Sequence, residues 1–404
     1  MSKTPVQPNH RSTVLQKCRN LKMARSAHAY VRGSTAKFYE WLTSVKPRQL
    51  PSGPAIWICG DCHSGNLGPL GSVDGRVQIG IRDLDQTVIG NPSHDLIRLA
   101  LSLATAARGS DLSGVTTAYI LEAMIEGYER GLLHTDEKIH QDAEPVKLAL
   151  RHALKRKWRD LAEERIEDTS PTIPLGKCFW PLTRTEKRAI ELFIRDEHTR
   201  KLVTALRKRN DDDEISLADA AYWVKGCSSL GRLRYAVLVR VTAKNSPAGF
   251  CLLDVKEACK AAAPHKTESP MPRGNADRVL KGACSLSPLL GKRMLAARLC
   301  DRPVFVRELL PQDLKLDIEN VSREEAISTA YFLAGVLGKA HGRQLSSEAK
   351  KAWISELKRS RSKSIDAPSW LWTSIVELIA IHEKAYLEHC RKYALQNARD
   401  TIVR

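Results

Sequence analysis

The stretch Gly60–Asp61–Cys62–His63–Ser64–Gly65–Asn66 constrains this chain more than any other. It follows Ala55–Cys59, a short apolar run rich in β-formers, and leads into Leu67–Gly68. An apolar run of that length, closed by Gly60–Asp61, reads as a buried strand ending in a loop. A second strand, Val77–Ile81, comes after the turn signal Asp74–Gly75 and runs into Asp83–Leu84–Asp85, 17 residues past Asn66. Strand, loop and strand set these polar groups on adjacent loop ends, where they can converge. Phosphoryl transfer needs few protein parts. An acid positions or deprotonates the attacking hydroxyl, and an Asn and an Asp hold Mg²⁺ across the nucleotide phosphates.

The arrangement resembles the catalytic loop and metal-binding aspartate of small-molecule, aminoglycoside-type kinases. That resemblance implies Asp61 as the base, Asn66 and Asp83 as metal ligands, and Asp85 as an assisting carboxylate. His63 either orients the loop through hydrogen bonds or touches substrate. Asp95, at the start of a helix read over Ser93–Arg108 with Ser93 as its N-cap, reads as a carboxylate bracing the helix end and the loop.

A kinase also needs a phosphate cover and a lysine, and nothing before residue 60 supplies them. They come later. Gly226–Cys227–Ser228–Ser229–Leu230–Gly231 lies between strand candidates Tyr222–Val224 and Tyr235–Val241, and backbone amides of such a turn can bind phosphate oxygens. A third strand, Phe250–Val255, ends at Lys256, about where a phosphate-pairing lysine belongs. Nucleotide contacts are therefore expected from Gly226, Ser228, Ser229, Gly231 and Lys256. Val304–Leu310 reads as the last strand and Leu310–Lys315 as a hinge. The helix ending Gly338–Lys339–Ala340–His341 resembles the one that normally precedes a kinase catalytic loop. The motif order is thus permuted, which compact folds tolerate when their termini lie close together.

The same residues, with Tyr30–Val31–Arg32–Gly33, Asp95–Leu99, Val255–Ala258 and Val306–Leu309, make the chain similar to a bacterial family labelled domain of unknown function 2252. The resemblance spans most of the chain and implies a kinase-like fold. Three positions depart from it. Ser228 stands where a glycine is expected, Gln86 where an acid is usual, and Leu67 where an aromatic is usual. The glutamate that should pair with Lys256 is not evident, with Glu257 and Glu308 as the nearest choices.

The fold expected is α+β: a two-lobed, circularly permuted kinase-like fold with a small β-rich lobe and a large helical lobe. Residues 1–19 read as a polar arm, 20–215 and 317–404 as the two parts of the helical lobe, and 216–316 as the β-rich nucleotide lobe. Further helices are expected over Thr116–Leu133, Glu324–His341, Ser347–Arg359 and Trp370–Ala398, with a charged, mostly helical stretch over 136–215. Asn210–Glu214 reads as a linker. The 404 residues, 43 % hydrophobic, suffice for a sizeable core. No apolar run is long enough to span a membrane, and the polar start has no secretory h-region. The ten scattered cysteines suit a reducing, cytoplasmic setting. A formal charge of +18 favours anionic partners without choosing among them, nucleic acid included.

The function expected is ATP- and Mg²⁺-dependent phosphoryl transfer to an unknown hydroxyl acceptor. Alternatives are nucleotidyl transfer on the same fold, or a pseudokinase or anion-binding module without catalysis. Cys59–Gly60–Asp61–Cys62 also fits a redox pair or half a zinc site, but no second close cysteine pair completes it. Asp61–Cys62–His63 is similar to the opening of binuclear metallophosphatases. The further ligands are poorly matched by Asn91 and His94, and no close histidine pair follows. Arg32 is placed either to approach the acceptor or to cap a helix.

Overall fold

The computed structural model describes the chain apart from residues 1–5, 7, 47, 138, 140–142, 167–171, 207–208, 228, 244–247, 266–269, 317–320, 360–366 and 395–404. Ser228 and the expected end of the last helix at Ala398 lie outside the described residues.

Helix α1 (Arg11–Met23) occupies most of what reads as a polar arm, so the expectation of an arm over 1–19 is corrected. Arg11 pairs with Glu186 at 2.7 Å, its guanidinium lies 4.4 Å over the Tyr222 ring, and Leu15 is fully buried. These partners lie more than 170 positions away, so local composition does not report them. α2 (Ala27–Gly33) is capped by Ser26, whose hydroxyl accepts from Ala29 N, and α3 (Thr35–Ser44) follows.

Strands β1 (Ile56–Ile58), β2 (Leu67–Gly71), β3 (Val77–Ile81) and β4 (Val88–Gly90) come next. β2 and β3 form an antiparallel hairpin, and β1 pairs with β4. The long helix α4 (Pro92–Gly109) starts from Asn91, whose side chain accepts from Ser93 N. Asn91 is therefore the N-cap rather than Ser93, because Pro92 is suited to the first helical position, where no N–H is needed. α5 (Gly114–Leu133), α6 (Glu144–Lys155) and α7 (Trp158–Ile166) extend this helical part.

β5 (Phe179–Trp180), α8 (Arg184–Arg195) and α9 (Glu197–Thr204) lead into the main sheet. That sheet adds β6 (Glu214–Trp223), β7 (Arg234–Thr242), β8 (Gly249–Glu257), β9 (Met294–Leu299) and β10 (Arg302–Leu309). The strand order is β5-β6-β7-β8-β10-β9. Helices α10 (Asn275–Leu286) and α11 (Pro288–Gly291) fall between β8 and β9. Three helices finish the chain: α12 (Arg323–Gly342), α13 (Ser347–Lys358) and α14 (Ser369–His389).

The fold is mixed α and β, with a strand-rich part between two helical parts. The boundary expected near 216 moves. β5 pairs with β6 through Phe179 and Trp223, and Ile190, Phe193, Ile194, Leu202 and Val203 share a core with Tyr235, Val237 and Val255. Residues 179–204 thus belong with the sheet, as does Glu214, which opens β6. The amphipathic α8 hides this in the sequence, because a narrow apolar stripe is set among charges. Among the described residues no helix is long and apolar enough to cross a membrane.

Candidate active site

The loop after β1 is held from beneath. Asp95, in the first turn of α4, accepts from Cys59 N at 2.6 Å and Gly60 N at 2.9 Å, as expected of a bracing carboxylate. His341 Nε2 lies 3.2 Å from the same carboxylate. Its Nδ1 meets the Tyr128 hydroxyl at 2.9 Å, and that hydroxyl accepts from Trp353 Nε1 at 3.0 Å. Trp353 N–H has only a donor role, so the tyrosine proton is left to point at His341 Nδ1, and Nε2–H at Asp95. Gly60 takes φ +74°, and a Cβ there would run into the Gln86 carbonyl. Only glycine turns the chain at that point without strain.

Asp61 faces inward. Its Oδ1 accepts from Arg98 Nε at 2.9 Å and its Oδ2 from the Thr35 hydroxyl at 2.9 Å. The residue is 6 % exposed, and burial raises its carboxyl above the ordinary range despite Arg98. Asn66 donates through Nδ2 to Asp61 O at 3.0 Å, leaving its side-chain oxygen as an acceptor. Arg82 N donates to Asn66 O at 2.7 Å, so the β2–β3 hairpin carries Asn66 and Asp83 side by side.

Lys256 closes the set. Its ammonium lies 3.0 Å from Asp83 Oδ2 and 3.2 Å from Asp85 Oδ2. Burial alone would neutralise it, but Asp83 and Asp85 outweigh burial and raise its pKa. Asp83 is correspondingly lowered against burial by Lys256 and Arg307. The partners of Lys256 are therefore aspartates. Glu257 pairs instead with Arg302 at 2.9 Å, and Glu308 with Arg209 at 2.9 Å. α10 offers no glutamate here. Its Arg278 donates to the backbone oxygens of Asp85 at 3.0 Å and Cys259 at 2.9 Å.

The glycine turn lies on the sheet side. Gly226 and Gly231 take φ of +100° and +102°, and Lys22 Nζ donates to Gly226 O at 3.0 Å. Gly226 and Ser229 line one cleft, of about 480 Å³, with His63, Asn66 and Asp83. Asp61, Asp85, Lys256 and Gly231 are not part of its lining. The structure thus sets Asn66, Asp83 and the start of the glycine turn on one cleft, ties Lys256 to Asp83 outside that lining, and leaves Asp61 behind the loop.

The cleft is basic. Among the described residues its lining holds nine lysines and arginines against Asp83 and Asp313. Part of this charge is balanced just behind the wall: Arg234 grips Asp254 at 2.8 and 2.6 Å, and Arg307 reaches it at 3.4 Å. Lys225 Nζ lies 4.0 Å over the Trp223 ring and forms no ion pair among the described residues, and burial together with Arg165 and Arg234 pushes its pKa well down against Asp254. His63, 5 % exposed, is pushed well below its ordinary value by burial, Arg32 and Arg98. Its Nδ1 is buried with no hydrogen-bond partner among the described residues.

Two carboxylates and an amide oxygen form a donor set suited to a hard cation such as Mg²⁺. Among the described residues no three His, Cys, Asp or Glu side chains cluster as a metal site. Cys59 and Cys62 are buried free thiols. The bracing network of Arg98, Thr35, Tyr128 and His341 went unassigned in the sequence. Arg98 sits one helical turn past Asp95, which was the available signal.

Compared with known proteins, the chain matches no curated protein and no solved structure. A family model described as an uncharacterized protein conserved in bacteria, DUF2252, matches residues 11–392. The chain belongs to the DUF2252 family.

Proposed function

We propose that this protein is an ATP- and Mg²⁺-dependent phosphotransferase with a permuted kinase-like fold. The observation that carries the reading is Lys256 bridging Asp83 and Asp85, with Asp83 and Asn66 together lining a cation-rich cleft. The order of parts supports it. A glycine turn joins β6 to β7, the lysine sits on β8, and α10 follows before β9 and β10. Protein kinases place their phosphate cover and lysine in that sequence.

In the reaction proposed, an acceptor hydroxyl attacks the γ-phosphorus, the bond to the β,γ-bridging oxygen breaks, and ADP leaves. Lys256 steadies the phosphates, and the Gly226–Ser229 turn covers them. Mg²⁺ held by Asn66, Asp83 and Asp85 would neutralise phosphate charge. The hydroxyl proton needs a nearby acceptor. His63 meets the cleft as a neutral imidazole, whereas both oxygens of Asp61 are engaged behind the loop. We therefore give the proton to His63 and make Asp61 a positioning residue, held by Arg98.

A second reading, nucleotide binding without transfer, is favoured by that same engagement of Asp61. One experiment separates the two. The melting temperature is measured with ATP, with and without Mg²⁺, and ADP formation is followed in wild type, His63→Asn, Asp61→Asn and Asp83→Ala. A ligand bound only by the folded state raises the midpoint. The phosphotransferase reading expects a Mg²⁺-dependent shift that Asp83→Ala abolishes. It also expects ADP formation reduced about 10²–10⁴-fold in His63→Asn with the shift retained. A shift with no ADP formation in wild type supports binding alone. Loss of turnover in a folded Asp61→Asn with His63→Asn active returns the base to Asp61. No shift with any nucleotide sinks both readings.

A further inference from the structure

The turn Leu310–Leu314, by which the chain leaves β10, is bonded to itself. Asp313, 4 % exposed, accepts from Leu310 N at 3.2 Å and from Gly71 N at 3.2 Å. Arg293 grips the same carboxylate at 2.9 and 3.2 Å. Asp313 N donates back to Leu310 O at 3.0 Å, and Arg82 Nη2 donates to Asp313 O at 3.3 Å. Pro311 has no N–H, and Leu314 N is taken by Gln312 O at 2.9 Å. Pro311 and Gln312 line a separate cavity, of about 810 Å³, and not the cleft. Leu310 and Asp313, the residues of this turn that do line the cleft, therefore present backbone N–H groups and a carboxylate that are already engaged. Lys315 comes after the turn, where Leu314 O and Leu316 N have passed onto Gly68 of β2.

Telling one base from another takes fixed donors and acceptors along its edge, since adenine presents an amino group where guanine presents a carbonyl. Strong rejection of the wrong base arises when it leaves such groups of the site unpaired. At this end of the cleft the polar groups are paired with one another instead. Arg165 meets Glu164 at 3.0 Å, Arg234 and Arg307 share Asp254, and Lys225 lies over Trp223. Their remaining N–H groups donate and cannot accept. The two acids of the lining, Asp83 and Asp313, are held by Lys256 and Arg293. What is left for a base is apolar: Leu161, Val224, Leu309 and Leu310 line the cleft, and Leu161 and Leu309 share a core. Such faces take any base, because contact with a ring face does not depend on its edge. Phosphate oxygens, in contrast, are what cationic donors bind best.

We propose that the phosphoryl donor is selected by its triphosphate and not by its base, so that GTP, CTP and UTP serve in place of ATP. The proposal rests on the phosphotransferase reading for where the donor lies. The chemistry is the same for each: the acceptor hydroxyl bonds to the γ-phosphorus, the bond to the β,γ-bridging oxygen breaks, and the nucleoside diphosphate leaves.

A donor series on the full chain tests it. Non-hydrolysable analogues of ATP and GTP are titrated calorimetrically with Mg²⁺, and inorganic tripolyphosphate is the base-free probe. Diphosphate formation is followed with ATP, GTP, CTP and UTP. The two analogues are expected to bind within about fivefold of each other, and the four donors to differ in kcat/KM by no more than that. A larger preference for one base, the signature of a fixed edge contact, overturns the proposal and leaves the phosphotransferase reading standing. Tripolyphosphate should displace the ATP analogue, and failure to do so overturns selection by the triphosphate. Val224 is half-buried, so Val224→Ala is expected to fold. It should weaken both analogues by the same factor and leave tripolyphosphate unchanged, whereas a loss confined to one base overturns the proposal. Equal binding of the analogues with no diphosphate formed from any donor sinks the phosphotransferase reading and keeps the base-blind site. No binding of either analogue or of tripolyphosphate sinks both.

Discussion

The Lys256 ammonium and the Asp83 carboxylate, 173 positions apart, lie 3.0 Å from each other and tie β8 to the end of the β2–β3 hairpin. Asp85 completes the group at 3.2 Å. On the reading proposed above, a divalent cation shared by these carboxylates would compete with the ammonium. Lys256→Met removes the competitor and leaves two carboxylates facing each other. Breaking a buried pair costs about 3–5 kcal/mol, less here because the Asp83 side chain is 39 % exposed to water. Millimolar Mg²⁺ without nucleotide should then raise the melting temperature of Lys256→Met more than that of wild type. Equal, negligible Mg²⁺ effects in both proteins would remove Asp83 and Asp85 as ligands.

Asp95 holds the loop by accepting two amides at once, with His341 as its third partner. Asp95→Asn keeps the shape but discards the charge and presents an amide donor to backbone donors. The cost should be about 3 kcal/mol or more, as for other broken buried networks. Hydrogen exchange locates the effect: protection should fall first at Cys59 and Gly60. Uniform loss across α4 and β1, with those two amides no worse than the rest, would contradict a loop-bracing role.

Sequence periodicity reported the long elements well. Val77–Ile81 is the observed β3, and Thr116–Leu133, Glu324–His341 and Ser347–Arg359 fall within one or two residues of α5, α12 and α13. Each has a strong apolar pattern of its own. β9 and α10 were not legible, since Met294–Leu299 mixes alanines with Arg298 and Asn275–Leu286 follows a polar loop. The grouping of Asn66, Asp83 and Lys256 was legible because each stands at a strand end. The orientation of Asp61 was not: it depends on Thr35 and Arg98, which only the tertiary fold brings to it. Nor was the pairing of Lys256 with aspartates, because a strand position shows which face a residue takes but not what stands opposite.

Asp254 supplies an acid-side test of the cleft wall. Burial acts to raise its carboxyl, but Arg234 and Arg307 prevail and hold it well below the ordinary range. The folded carboxyl therefore titrates below the unfolded one, at about 3.9. Its stabilisation is complete above that value and is lost as pH falls through the folded pKa. Asp254→Asn should cost about 3–5 kcal/mol at pH 7, since it strands two arginines at a 2 % exposed site. In urea unfolding the difference between wild type and variant should narrow as pH drops below about 4. A difference constant from pH 7 to pH 2 would mean that the packing of Asp254, not its charge, matters.

Three histidines, His63 and His382 buried and His28 half-buried, set an earlier window. Burial is the largest cause for each, and it lowers His28 and His382 to about 4 and His63 well below its ordinary value. Arg32 and Arg98 add to it at His28 and His63, and Arg98 at His382. In the unfolded chain all three take up a proton near pH 6.5. Between that pH and the folded values the unfolded state binds more protons, so stability falls as pH falls. Each histidine contributes a slope of about 1.4 kcal/mol per pH unit. Asp61 and Glu308, whose carboxyls burial raises, oppose the trend toward its acid end. Single variants isolate the histidine share. His382→Asn should flatten the pH dependence of urea unfolding between pH 6.5 and 4.5 by about one proton, and His63→Asn by the same amount. Direct titration of His63 by nuclear magnetic resonance should show no inflection between pH 5.5 and 8, which keeps it a neutral proton acceptor over the range where the proposed reaction would run. An inflection near pH 6.5 would show it exposed and charged on acidification, and would move the proton-accepting role away from it.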